Sequence, residues 1–180
     1  NIELKAFLKD IEEDKIPANF TTFYLNNSDD EEIEQANIKI NNKILHQSKL
    51  INYLKLEKSK KDPTKDINDF LKKIKKNKKY FFSKKDVILV EAFKSDGIKI
   101  LEKYNDLYQI NDSEIPSDIQ IFVNSGDMAA ALLRIVEIIG QDNLNNIDED
   151  TLYFIISTLN QLNADPLRNR ILFKVLPLKV

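Results

Sequence analysis

His46 is the single histidine of a chain that has no cysteine. One imidazole without a second histidine or a thiolate cannot build the ligand sets that hold zinc, and there is no thiol to act as a nucleophile. His46 is therefore expected to be a partly exposed structural residue on a helix, one position after Leu45. The acids Asp142, Asp148, Glu149 and Asp150 form the next group that could hold an ion. A calcium loop of the helix-loop-helix kind needs acceptors at alternate positions and a glycine at the sixth. Counted from Asp142, the third residue is Leu144 and the sixth is Ile147, so the pattern fails. A phosphate-cradling loop needs clustered glycines, and no two glycines here stand closer than Gly126 and Gly140. Carboxylate pairs for acid-base work can be assembled at will from 29 acidic residues, with nothing to single one pair out. These residues predict no catalytic site, no cofactor and no metal, and so a protein that is not an enzyme.

Charge is the most uneven feature of the chain. Residues 55 to 85 carry 13 lysines against Glu57, Asp62, Asp66 and Asp69, a net of +9, which leaves −11 for the remainder of a chain whose total is −2. Lys72, Lys73, Lys75, Lys76, Lys78 and Lys79, followed by Lys84 and Lys85, surround Tyr80, Phe81 and Phe82. Ammonium groups neutralise phosphates and rings stack on bases, so the block is a candidate surface for nucleic acid or another polyanion. The plainer reading is a solvated helix face with its aromatics turned into the core. It is favoured because arginine, the usual bidentate partner of phosphate, is missing from the block.

The elements that position these residues read as helices. Met128, Ala131, Leu132, Ile135 and Ile139 share one helical face. Asn124 or Ser125 is the expected cap, Asp127 sits in the first turn, and Gly140 is the stop. Leu133, Val136 and Ile138 widen that stripe until little polar surface is left, which predicts a core helix buried on several sides. Asp148 caps the next helix, with Leu152, Ile155, Ile156, Leu159 and Leu162 inward and Asn163 closing it. Asp165-Pro166 restarts a helix with Leu167, Ile171 and Val175 inward, and Pro177 ends it. Ile155 and Leu159 are expected to bury against Leu132 and Ile135.

Upstream, Ile2, Ala6, Phe7 and Ile11 suggest a short first helix before Ile16-Pro17. Ser28 to Glu31 offers a cap and acids, after which Ile33, Ile40, Ile44, Ile51 and Leu54 trace one stripe along a single long helix. Asp62-Pro63 starts another with Ile67, Phe70, Leu71 and Ile74 inward. Ser83 with Asp86 opens one through Val87, Val90 and Phe93, closed by Gly97. Ile98, Leu101 and Leu107 suggest one more. The fold class is all-α, in stacked antiparallel helical hairpins, either solenoid-like or an irregular bundle. An α/β alternative stays open, because 87–93 and 119–123 are β-branched or aromatic runs that would also suit short strands. Ile16 to Phe23 echoes Ile115 to Phe122 in type and spacing, as a helical repeat would.

With 42% hydrophobic and 31% charged residues, a chain of this length can bury a real core. Arg134 and Glu137 interrupt its most apolar helix, so no transmembrane segment is expected. Three regions are distinguished within what reads as one continuous helical domain: 1–60 with the long helix, 61–112 with the lysine-rich link and middle helices, and 113–180 as a three-helix unit. The start at Asn1 predicts a piece of a longer protein, or a chain from which a leader has been removed. Periplasmic and cytoplasmic locations are not separable from the residues.

Leu132 to Gly140, Asp150 to Ile155, Leu159 to Leu162, Arg168-Asn169 and Leu176 to Val180 together resemble the C-terminal end of large uncharacterised alphaproteobacterial helical proteins. Lys85-Asp86 to Asp96-Gly97 resembles an upstream part of the same proteins. The resemblance implies an all-helical, repeat-like architecture and is compatible with export. It carries no activity and no functional residues. The function expected is a non-catalytic scaffold that binds another protein, or another segment of its own full-length chain, through a groove between hairpins. The alternative is electrostatic binding of nucleic acid or a polyanion through 72–85.

Overall fold

The structure, a computed structural model, describes residues 38–55, 62–108, 115–140 and 142–179. The expected first helix, the cap at Ser28 to Glu31, Ile33 and the Ile16 to Phe23 echo lie outside the described residues. Residues Lys39–Leu178 form one compact unit, and of the other unit only Ile38 and Lys179 are described.

The chain is mostly helical, as an all-α protein. Among the described residues it has six α-helices: α1 (Thr64–Lys76), α2 (Lys84–Ser95), α3 (Ser117–Ser125), α4 (Met128–Ile139), α5 (Glu149–Gln161) and α6 (Asp165–Val175). Short 3-10 turns lie at Leu45–Gln47, Lys49–Leu54, Glu102–Leu107 and Leu144–Asn146. Two-residue strands β1 (Ile38–Lys39) and β2 (Leu178–Lys179) pair in a two-stranded sheet. The strand alternative is overturned, since 87–93 lies inside α2 and 119–123 inside α3. For α2 the reason is local. The Ser83 side chain accepts from the Asp86 amide while the Asp86 carboxylate accepts from the Ser83 amide, a capping box that commits the chain to helix before the β-branched run begins.

The long helix is corrected too. From residue 38 onward its stripe runs through a strand and two 3-10 turns, with Ile44 and Ser48 both extended. Side chains that compete for backbone groups account for this. Asn42 accepts from the Lys49 amide, Asn41 from the Lys43 amide, and the Ser48 hydroxyl donates to the Leu45 carbonyl while accepting from the Leu50 amide. Leu45, Leu50, Ile51 and Leu54 are nonetheless buried, whereas Ile40 is exposed.

The core is centred on α2. Val87, Ile88, Leu89, Val90, Ala92 and Phe93 are all buried, and α2 packs most extensively on α5. Leu152, Ile155, Ile156, Leu159 and Leu162 of α5 are buried as expected, but their main partner is α2 rather than α4. Asp148 caps α5 by accepting from the Asp150 and Thr151 amides, and Asn163 closes it at a positive φ of 52°. The expected core helix, α4, is in fact peripheral. It packs on α3, an additional helix that makes the C-terminal region four-helical, and buries only Ala131 and Ile135. Gly126, left-handed at φ 73°, ends α3 and turns the chain directly into α4. The cap of α4 is Asp127, which accepts from the Ala130 amide, and not Asn124 or Ser125.

In α6 the inward face is also shifted. Arg168, Ile171 and Leu172 are buried, while Leu167 is exposed. Among the described residues no helix is long and apolar enough to cross a membrane.

Candidate functional site

Two features of the folded chain have the chemistry of a site: a buried polar centre around Asp86, and the lysine face of α1.

Asp86 is the third residue of α2 and only 1% exposed. Its Oδ1 accepts from the His46 amide at 3.0 Å and lies 2.7 Å from His46 Nδ1. Its Oδ2 accepts from the Tyr80 hydroxyl at 2.9 Å and the Ser83 amide at 3.1 Å. The Tyr80 hydroxyl in turn accepts from the Leu45 amide at 2.9 Å. One carboxylate thus ties the 3-10 turn at 45–47 and the aromatic segment at 80–82 to the start of α2. Burial works to raise the Asp86 carboxyl, but hydrogen bonds from the His46 ring and amide, the His46 charge and the Ser83 amide outweigh it and hold the pKa below the usual carboxylate range. The Tyr80 hydroxyl is pushed well above its ordinary value, chiefly by burial, and the Asp86 charge adds to the rise while the Leu45 amide opposes it.

His46 is buried rather than partly exposed, and stands in a 3-10 turn rather than on a long helix. Against an ionised Asp86, Nδ1 must carry the proton. Ser83 Oγ lies 3.3 Å from the same Nδ1. Serine, histidine and aspartate therefore meet, but not as an acyl-transfer relay, in which the nucleophile and the carboxylate address opposite ring nitrogens. Here both address Nδ1, and Ser83 Oγ is also the helix cap. Nε2 has no hydrogen-bond partner among the described residues, and the imidazole side chain keeps 11% exposure. Among the described residues no three histidine or acidic side chains gather to hold a metal ion.

A second polar centre was not anticipated. Arg168 is fully buried. It bonds Asp96 at the end of α2, Asn160 of α5 at 3.0 Å and the neighbouring Asn169 at 2.8 to 2.9 Å, and pairs with Asp165 at 2.8 Å. It clamps three helix ends together. The i, i+3 spacing from Asp165 was the one available signal for it.

Four of the lysine candidates lie where an amphipathic α1 would put them, and Lys78 and Lys79 lie on the turn that follows. Ile67, Leu71 and Ile74 face inward, and Lys72, Lys73, Lys75, Lys76, Lys78 and Lys79 are all exposed. Lys75 reaches the Lys103 carbonyl and Asp106, the latter at 3.4 Å. Lys84 pairs with Asp150. The aromatics divide. Tyr80 and Phe82 pack edge to face at 6.3 Å, and Phe82 lies 5.9 Å from the Tyr108 ring, whereas Phe81 is 86% exposed. The expectation that all three turn inward therefore fails at Phe81. Tyr80 and Phe82 are half-buried against each other and Tyr108, and Phe81 between them points the other way.

No family model matches the chain, and neither a curated protein nor a solved structure matches it.

Proposed function

We propose that this chain is a non-catalytic helical module that binds another protein, and that the outward face of α4 is the contact. The observation that carries this reading is a second apolar stripe on α4. Ala129, Leu132, Leu133 and Val136 stand at i, i+3, i+4 and i+7, turned away from the inward pair Ala131 and Ile135. Leu133 is 66% and Val136 56% exposed, and Met128 at the start of α4 and Ile121 on α3 are exposed as well. Scattered exposed apolar residues need no explanation, but a run at this spacing is the pattern by which a helix seats in a partner's apolar groove. Arg134, bonded to Asp118 at 2.6 Å and Glu137 at 3.0 Å, supplies a polar rim. The contact surface proposed is therefore a helix face, in place of the groove between hairpins expected from the sequence. The non-catalytic part is supported by the polar centre at Asp86, whose four acceptor contacts all hold the fold.

The partner is a protein with an apolar groove the width of one helix. A photo-crosslinking residue placed at Leu133 tests the reading, with the same group at the exposed polar Asp106 as reference. A single discrete protein adduct at 133, absent at 106 and abolished by Val136→Glu, is expected. Equal adducts at both positions, or adducts insensitive to Val136→Glu, would overturn it.

A further inference from the structure

We infer that the outer face of α1, with the turn that follows it, binds single-stranded nucleic acid, the lysines tracking the phosphate backbone and Phe81 stacking on a base. The inference uses a different surface from the α4 contact and stands or falls separately.

Lys72, Lys73 and Lys76 on α1 and Lys78 and Lys79 on the turn are exposed, and none has a carboxylate within ion-pair distance among the described residues. Lys72 and Lys76 stand one turn apart, as do Lys73 and Lys76, and like charges so placed repel and weaken a helix. The helix dipole favours cations in the last turn, which accounts for some of these lysines, but not for those beyond it. Phe81 is the independent observation. Packing of its neighbours decides that residue 81 faces water, yet any polar side chain would satisfy that geometry. A ring left 86% exposed at the end of a cationic stripe is the pairing of charge and π-face that single strands require.

The residue types narrow the partner. Lysine without arginine offers point charges rather than bidentate forks, which suits sequence-independent backbone contact. A stacking ring needs an unstacked base, which a duplex does not present. One exposed ring flanked by Asn77, Lys78 and Lys79 is too little apolar surface to bury in a lipid interface. Outside residues 55–85 the chain sums to −11, so its positive charge is concentrated in this block.

Fluorescence anisotropy at pH 7 with an oligothymidylate of about 20 nucleotides, a duplex of equal length and phosphatidylserine vesicles tests this across a salt series. Five lysines at roughly 0.7 per phosphate predict a log-log salt slope for the single strand of about −3.5 or shallower. Lys72→Gln with Lys76→Gln should flatten that slope by about 1.4. Phe81→Ala should weaken binding roughly 5- to 150-fold and leave the slope unchanged. Absence of binding at low salt overturns the proposal. So does Phe81→Ala binding as tightly as the parent, or the duplex or the vesicles binding as tightly as the single strand. All three positions are exposed, and unchanged melting of the variants provides the control for folding.

Discussion

Asp86 holds two segments of the unit to one helix start, and the consequences of losing it are specific. Replacing it with alanine removes the acceptor for four donors and strands the buried His46 ring, so Asp86→Ala should cost about 3 to 5 kcal/mol in a urea melt. Tyr80→Phe removes the hydroxyl between the Leu45 amide and Asp86 and should cost about 1 to 3 kcal/mol, because a partly buried amide loses its acceptor. The pH dependence follows from the depressed Asp86 pKa. A carboxyl that binds its proton less readily when folded than when unfolded stabilises the fold above its unfolded value, and that contribution is lost as pH falls through the folded one. Stability should therefore decline as pH drops below the ordinary value of 3.8, and the decline should be shallower in Asp86→Asn. Equal acid sensitivity of variant and parent would show that Asp86 is not the group responsible. Of this network only the Ser83–Asp86 cap could be read from the residues, because His46 and Asp86 are forty positions apart and a lone histidine carries no periodic signal.

At the scale of the elements, α4 and α2 exchange the roles that their sequences suggest. The run Met128 to Ile139 is the more apolar, yet α2 supplies the centre and α4 lies at the edge. Hydrophobicity describes what a helix can bury, whereas burial depends on which neighbours reach it. Leu89→Ala or Leu159→Ala, at fully buried positions, should cost about 2 to 5 kcal/mol through lost transfer energy and a cavity. Leu133→Ala on α4 and Lys78→Ala on the turn should each stay within about 0.5 kcal/mol. Denaturant midpoints distinguish these outcomes, and a Leu133→Ala shift as large as that of Leu89→Ala would restore α4 to the core. In α6 a buried arginine occupies the position that an apolar stripe would claim for leucine. Ion pairing and hydrogen bonds offset the cost of burying that charge, so Arg168 was invisible to a reading that counts only apolar residues as inward.

For the whole molecule, opposite charges are segregated more than the total of −2 suggests. The sequence isoelectric point of about 5.6 places the protein on an anion exchanger at pH 7. The exposed lysine face predicts retention on a cation exchanger as well at low salt, with earlier elution for Lys72→Gln combined with Lys76→Gln, since a resin meets one face of the protein and the charges nearest it act most strongly. Failure to bind the cation exchanger at low salt would show that nearby acids neutralise the patch. What the sequence alone determined was where several helices begin and end: Ser83 with Asp86, Asp148 and Asn163. It also determined the inward faces of α1 and α5. Caps and stops are hydrogen bonds and backbone preferences within about four residues, so their cause is contained in the local sequence. Only the tertiary structure decided that α2 would be enclosed, that Arg168 would be buried and that α4 would keep a bare apolar face. Each of these outcomes depends on segments distant along the chain competing for a limited interior, and helical periodicity carries no record of that competition.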